Sequence, residues 1–136
     1  METLSNNNGH SFVLDLPWPP SVNHYWRRVG NRTLISKEGR RFRKRVLATL
    51  SARKHEPMTG TLAVRVVAHP PDRRRRDLDN ITKALLDALE HGGIYEDDSQ
   101  IDRLEIVRAS VIKSGAVIVE INEINAIQPH QTENQT

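Results

Sequence analysis

Residues 70–91 read PPDRRRRDLDNITKALLDALEH, and this stretch limits the fold more than any other. Four consecutive arginines, Arg73 to Arg76, repel one another and cannot be buried unpaired, so they must lie in an exposed connection. Asp77 and Asp79 follow directly. From Leu78 the apolar residues Leu78, Ile81, Leu85, Ala88 and Leu89 recur at helical spacing, and Gly92 and Gly93 stop the run. The pattern predicts an amphipathic helix with Asp77 at its N-cap and Asp79 in its first turn. Asp79 and Lys83 stand four apart on a face away from the apolar stripe, so both can reach one ligand while the stripe holds the helix to a core. Cations and carboxylates this close in sequence indicate a site for phosphate and metal.

Taken singly, these residues have ordinary explanations. An N-cap aspartate contributes about 1 kcal/mol to a helix, and an exposed Asp79–Lys83 pair roughly 0.3–0.5 kcal/mol. The arginine run has no such local explanation, whereas a nucleic-acid backbone supplies one.

The remaining elements fall around this stretch. Ser11–Leu16 alternates in the manner of a strand and ends at LPWPPS, whose prolines donate no ladder bonds and fix an extended turn at Trp18. Ser21 to Ile35 predicts an irregular hairpin about Gly30 and Asn31, in which Tyr25 and Trp26 either stack on bases or cover one end of a sheet. Ser36 caps a helix reaching about Lys54, with Phe42, Val46, Leu47 and Leu50 inward. Thr61–His69 reads as a central strand, and Ile101–Ile112 and Ala116–Ile124 as two more, joined by a tight turn at Lys113 to Gly115. The expectation is a single α+β domain over residues 11–124, with a small mixed β-sheet and two main helices, between disordered tails at 1–10 and 125–136.

Charge is segregated along the chain. Residues 27–54 hold eleven Lys or Arg against Glu38 alone, while residues 87–105 hold seven acids against Arg103. The basic helix lacks acids at helical spacing, which leaves an external polyanion as the better partner for Arg40, Arg43 and Lys44, and likewise for Arg27 and Arg28 before it. With no cysteine there is neither a disulfide nor a thiolate metal site, and the histidines show no ligand spacing. No apolar run approaches the roughly 20 residues of a membrane span, and residues 1–11 show no secretory signal, so a cytoplasmic protein is expected.

Three segments carry a resemblance: PDRRRRDLDN (Pro71–Asn80) with Lys83, YEDDSQI (Tyr95–Ile101) and LPWPPSVN (Leu16–Asn23). Together they closely resemble the RusA family of Holliday junction resolvases, over roughly Phe12 to Ile124. The resemblance implies a small homodimeric α+β endonuclease, often prophage-borne, that cuts four-way DNA junctions in recombination and repair with Mg²⁺ or Mn²⁺. It implies that Asp77, Asp79 and Asp98 bind the metal, that Lys83 is the catalytic-site lysine, and that Arg76 and Asn80 are the flanking polar positions. At the Asp97–Asp98 step the second residue is taken as the ligand. Arg73, Arg74 and Arg75 complete the expected DNA-binding set.

The chemistry requires these residue types. A phosphodiester repels hydroxide, so its hydrolysis needs cations to neutralise charge and activate water. Mg²⁺ takes oxygen ligands, and three aspartates with water and phosphate can supply them. Since one chain holds one such set and a junction must be nicked twice, a twofold dimer is expected. Rival expectations are a non-catalytic basic nucleic-acid-binding module and a nuclease for flaps or other branched DNA; only the first leaves Asp97 and Asp98 without a role.

Overall fold

The computed structural model describes residues 11–52 and 55–124. The expected tails, and the predicted helix end near Lys54, lie outside the described residues. In chain order the elements are β1 (Ser11–Leu16), α1 (Val22–Tyr25), β2 (Trp26–Val29), β3 (Arg32–Ile35), α2 (Lys37–Ser51), β4 (Thr61–His69), α3 (Asp79–His91), β5 (Ile101–Arg108) and β6 (Ala116–Ile124). Among the described residues this is one α+β domain with a four-stranded mixed sheet ordered β1-β6-β4-β5 and a separate β2–β3 hairpin.

β4 is the centre, as its valine-rich run predicts. It pairs antiparallel with β6 from Thr61↔Ile124 to His69↔Ala116 and parallel with β5 on its other side. Parallel neighbours require a long crossover, and the arginine loop with α3 provides it. One face of the sheet, built from Leu14 and Leu16 of β1, Leu62, Val64, Val66 and Ala68 of β4, and Val117, Val119 and Ile121 of β6, joins the same core as the apolar stripes of α2 and α3. That core buries Ile81, Ala84, Leu85, Ala88 and Leu89 of α3, matching the predicted period.

Two expectations are corrected. The last two strands are not a hairpin: β5 stops at Arg108, and β4 lies between it and β6. The Ala109 and Ile112 amides donate to the Ala68 and Pro70 carbonyls, so residues 109–112 cross the end of β4 before the chain turns at Ser114 (φ 76°) and Gly115 (φ 75°). A hairpin would have left one side of the nine-residue β4 without ladder partners, and the crossover satisfies both sides. Second, Leu47 is not inward. It is 43% exposed, and Phe42, Val46 and Leu50, with Gly39, form the buried stripe of α2.

The start of α2 follows its capping chemistry. Ser36 Oγ accepts the Gly39 amide at 2.8 Å. A Cβ on Gly39 would lie 2.5 Å from the Tyr25 carbonyl oxygen, so only glycine allows α2 to sit against α1.

Candidate functional site

The Asp77 N-cap is corrected by the structure. The residue at the cap position is Leu78, in helical conformation with no side-chain cap bond, and α3 begins at Asp79 through short-range bonds from the Asn80 and Ile81 amides to the Asp77 and Leu78 carbonyls. Asp77 therefore has no capping duty. Asp77, Asp79, Asn80 and Lys83 are all exposed, and among the described residues Asp77, Asp79 and Lys83 form no side-chain hydrogen bond or ion pair. The Asp79–Lys83 surface pair is thus not formed, and two carboxylates and an ammonium remain available to a ligand at a helix N-terminus, where anions are favoured.

The arginine loop is organised by Asp72, a residue the sequence pattern did not single out. Its carboxylate accepts from the Arg74 amide (2.9 Å), from Arg74 Nη2 (3.1 Å) and from Arg76 Nη1 (2.6 Å). These bonds, led by that from Arg76, hold the Asp72 carboxyl well below the usual range. Arg108 Nη2 ties the Arg76 carbonyl to β5 at 2.9 Å. Arg74 and Arg76 are thereby partly neutralised, while Arg73 and Arg75 are exposed and, among the described residues, without an ion pair. One aspartate thus partners two of the four adjacent arginines, and exposure accommodates the other two.

Asp98 sits elsewhere. It opens a short 3-10 turn, Asp98–Gln100, capped by Asp97, whose side chain accepts from the Ser99 amide. Its own amide donates to Glu90 Oε1 at 3.1 Å. The buried Tyr95 hydroxyl lies 2.8 Å from both an Asp98 carboxylate oxygen and the Leu86 carbonyl. Desolvation of the carboxyl, on a residue that is otherwise exposed, raises Asp98 to about 6; the Tyr95 bond opposes the rise, and nearby Glu90 and Asp87 add to it. Asp97, bonded to Ser99, is shifted down instead and is engaged as a cap. At 1.5 Å per residue, the stretch of α3 that holds Asp98, from Leu86 to Glu90, lies roughly 10–16 Å along the axis from Asp79. Asp77 and Asp79 thus belong to one end of α3 and Asp98 to the other.

Of the expected phosphate-binding cations, Arg27 and Arg28 on the hairpin and Arg40 and Lys44 on α2 are exposed. Arg43 is not free. Its Nη2 bonds Asp87 Oδ2 at 2.8 Å and its Nε the Tyr25 hydroxyl at 2.9 Å, and that hydroxyl itself donates to Asp87. The acid missing at helical spacing on α2 comes from α3. Tyr25 is fully buried, and Trp26 packs edge-on against it at 4.9 Å between ring centroids, so this pair covers the core and Tyr25 offers no face to a base.

The donor chemistry suits a hard divalent cation, since Asp77 and Asp79 present free carboxylate oxygens. Within one chain the fit is incomplete: among the described residues no three carboxylate or imidazole groups gather closely enough to hold an ion.

Fold and site together define a small basic α+β protein that presents free carboxylates beside a cationic loop. Comparison with known proteins narrows the class. Residues 17–122 match the family Endodeoxyribonuclease RusA. The chain is 42% identical over 121 residues to the crossover junction endodeoxyribonuclease of Enterobacteria phage HK97, covering 88% of this chain and 99% of that one. It is 39% identical to the Shigella sonnei protein of that name and 38% identical to that of Escherichia coli K12, each over 116 residues, or 85% of this chain and 97% of the relative. The chain belongs to the RusA endodeoxyribonuclease family.

Proposed function

We propose that this chain is a structure-selective endodeoxyribonuclease that resolves four-way DNA junctions by paired phosphodiester hydrolysis, serving recombination and repair in the cytoplasm. The observation that carries the proposal is the unpartnered set Asp77, Asp79 and Lys83 at the end of the arginine loop, in a chain of this family. Among the described residues no helix is long and apolar enough to cross a membrane.

In this assignment Arg73 and Arg75 grip the phosphates flanking the scissile bond, with Arg74 and Arg76 holding the loop in shape through Asp72. Asn80 contributes a neutral donor beside them. Asp77 and Asp79 are the ligands for Mg²⁺, or Mn²⁺, which when bound neutralises the phosphate and lowers the pKa of bound water. Lys83 steadies the phosphate or the attacking water from the next helical turn. On hypotheses of pure binding, two free carboxylates beside a phosphate site only weaken affinity, which disfavours a non-catalytic module.

Asp98 is the third ligand, and its placement supports a dimer. Because its own chain holds it at the far end of α3, a twofold partner is the natural source of the Asp98 that completes each Asp77–Asp79 pair. Two such composite sites then nick two symmetry-related strands. The functional test is to incubate the protein with a four-way junction, a linear duplex and a flap, with and without Mg²⁺. Paired nicks in the junction alone, dependent on the ion, are expected; junction binding without cleavage under any divalent cation overturns the proposal.

A further inference from the structure

A groove of about 330 Å³ opens between the proline-rich turn after β1 and the N-terminal half of α2. None of the roles above uses it. Its apolar walls include Trp18, Pro20, Phe42 and Pro71, and Arg41 and Arg45, one helical turn apart, stand along its side. Both arginines are exposed and, among the described residues, neither has an ion pair. Glu38 also lines the groove, which leaves it one net positive charge.

Its construction is specific. Trp18 is partly buried with part of its surface on the core. A Cβ on Gly115 would fall 2.8 Å from Trp18 Cβ and 3.1 Å from Pro71 Cδ, so glycine at this left-handed position (φ 75°) is what lets the turn after residues 109–112 pack against the base of Trp18 and against Pro71. Pro71 is both a wall of the groove and the start of the loop that runs through Arg73–Arg76 to Asp77. The groove therefore adjoins the start of that loop.

We propose that this groove receives one unstacked nucleotide of the branched DNA, its base stacked on Trp18 between the proline walls and its phosphate held by Arg41 and Arg45. This rests on the junction-resolving assignment and adds to it a place where the protein reads or traps an opened base. A planar aromatic surface accepts the π-face of any base, and paired arginines supply the phosphate contact. The volume is at the lower end of the roughly 300–1,000 Å³ typical of small-ligand pockets, enough for one nucleotide and too little for a duplex. A base becomes available at low cost only where stacking is already interrupted, which confines occupancy to the crossover.

The test uses the full chain without divalent cation, bound to four-way junctions carrying 5-iododeoxyuridine at single positions beside the crossover or within an arm. Irradiation followed by peptide mass spectrometry identifies the attached residue. Attachment at Trp18 from a crossover position and not from an arm is expected; attachment only at other residues overturns the proposal. In parallel, Trp18→Ala should weaken junction binding about tenfold or more with duplex binding unchanged, and Trp18→Phe should restore most of it. Arg41→Gln with Arg45→Gln, both on the exposed helix surface, provides a variant whose folding is not at risk; equal loss on junction and duplex, or none on either, also overturns the proposal. Should the wild-type protein cleave junctions while these results are negative, the groove assignment fails and the proposed function stands. A wild-type protein that neither binds nor cleaves junctions defeats both.

Discussion

If each site takes Asp77 and Asp79 from one chain and Asp98 from its partner, two dead variants should rescue one another. Asp77→Asn and Asp98→Asn each abolish both sites of a homodimer. In a mixed dimer, one site combines the altered Asp77 of the first chain with the altered Asp98 of the second and carries both lesions. The other site combines the intact Asp77 and Asp79 of the second chain with the intact Asp98 of the first. The structural basis is the separation of roughly 10–16 Å along α3, set by the bonds from Asp98 to Glu90 and Tyr95. Equal mixing by unfolding and refolding gives half mixed dimers, each with one working site of two, hence about a quarter of the wild-type number of sites in a twofold assembly. The assay is a supercoiled plasmid bearing a cruciform, with Mg²⁺. The mixture should accumulate singly nicked circles at roughly that level, and neither variant alone should nick. If all three aspartates instead met within one chain, every mixed dimer would carry one lesion per site. A mixture as inert as its components, with mixed dimers verified by mass, refutes the shared site.

Three further outcomes are expected. Ionising the Asp98 carboxyl, raised from 3.8 to about 6, costs the folded chain stability that is lost as pH rises between those values. In thermal melts without divalent cation, Asp98→Asn should therefore melt higher than wild type at pH 7.5 and level with it near pH 4; a lower melt at pH 7.5 would show that the Tyr95 bond outweighs the desolvation of the carboxylate. Arg43→Met removes a charge-assisted pair with Asp87 whose side chains are 22% and 29% exposed, and should lower unfolding free energy in urea by about 1–3 kcal/mol. Arg73→Gln and Arg75→Gln should each reduce the salt dependence of duplex binding by a slope of about 0.9 while changing stability by less than about 0.5 kcal/mol. An unaltered slope would place both outside the interface.

What the sequence made legible follows from the range of the forces involved. β1, β4, β6 and α3 are visible because side-chain alternation and helical period are local, and the Ser36 cap because it reaches only three residues along the chain, to Gly39. Strand neighbours are a long-range choice, so a turn with Gly115 looked like a hairpin although β4 takes the place between β5 and β6. Asp77 and Asp79 were legible as a pair because they are two residues apart. Asp98 was identifiable through resemblance, but its distance from them along α3 was not, since it depends on how the loop after Gly93 folds back on Glu90 and Leu86. Asp87 and Glu90 carried a faint signal, standing four and seven residues beyond Lys83 on the same face of α3.

The distribution of partners among the cations then decides which of them DNA can use. Arg43 answers Asp87, Arg65 answers Glu105 across neighbouring strands, and Arg74 and Arg76 share Asp72. These pairs fix elements to one another: α2 to α3, β4 to β5, and the two ends of the arginine loop. Of the exposed cations left over, Arg73, Arg75 and Lys83 flank the N-terminal end of α3 in sequence, while Asp87, Glu90 and Asp98 gather at its other end. A single chain is thus cationic where its first two free carboxylates lie and anionic where the third lies. An acidic end repels a phosphate backbone unless cations face it, and in the proposed dimer a twofold partner turned head to tail along α3 would bring the cationic end of the second copy to it. In that proposed arrangement the reversal that would complete the carboxylate set would also neutralise the charge that keeps DNA away from it.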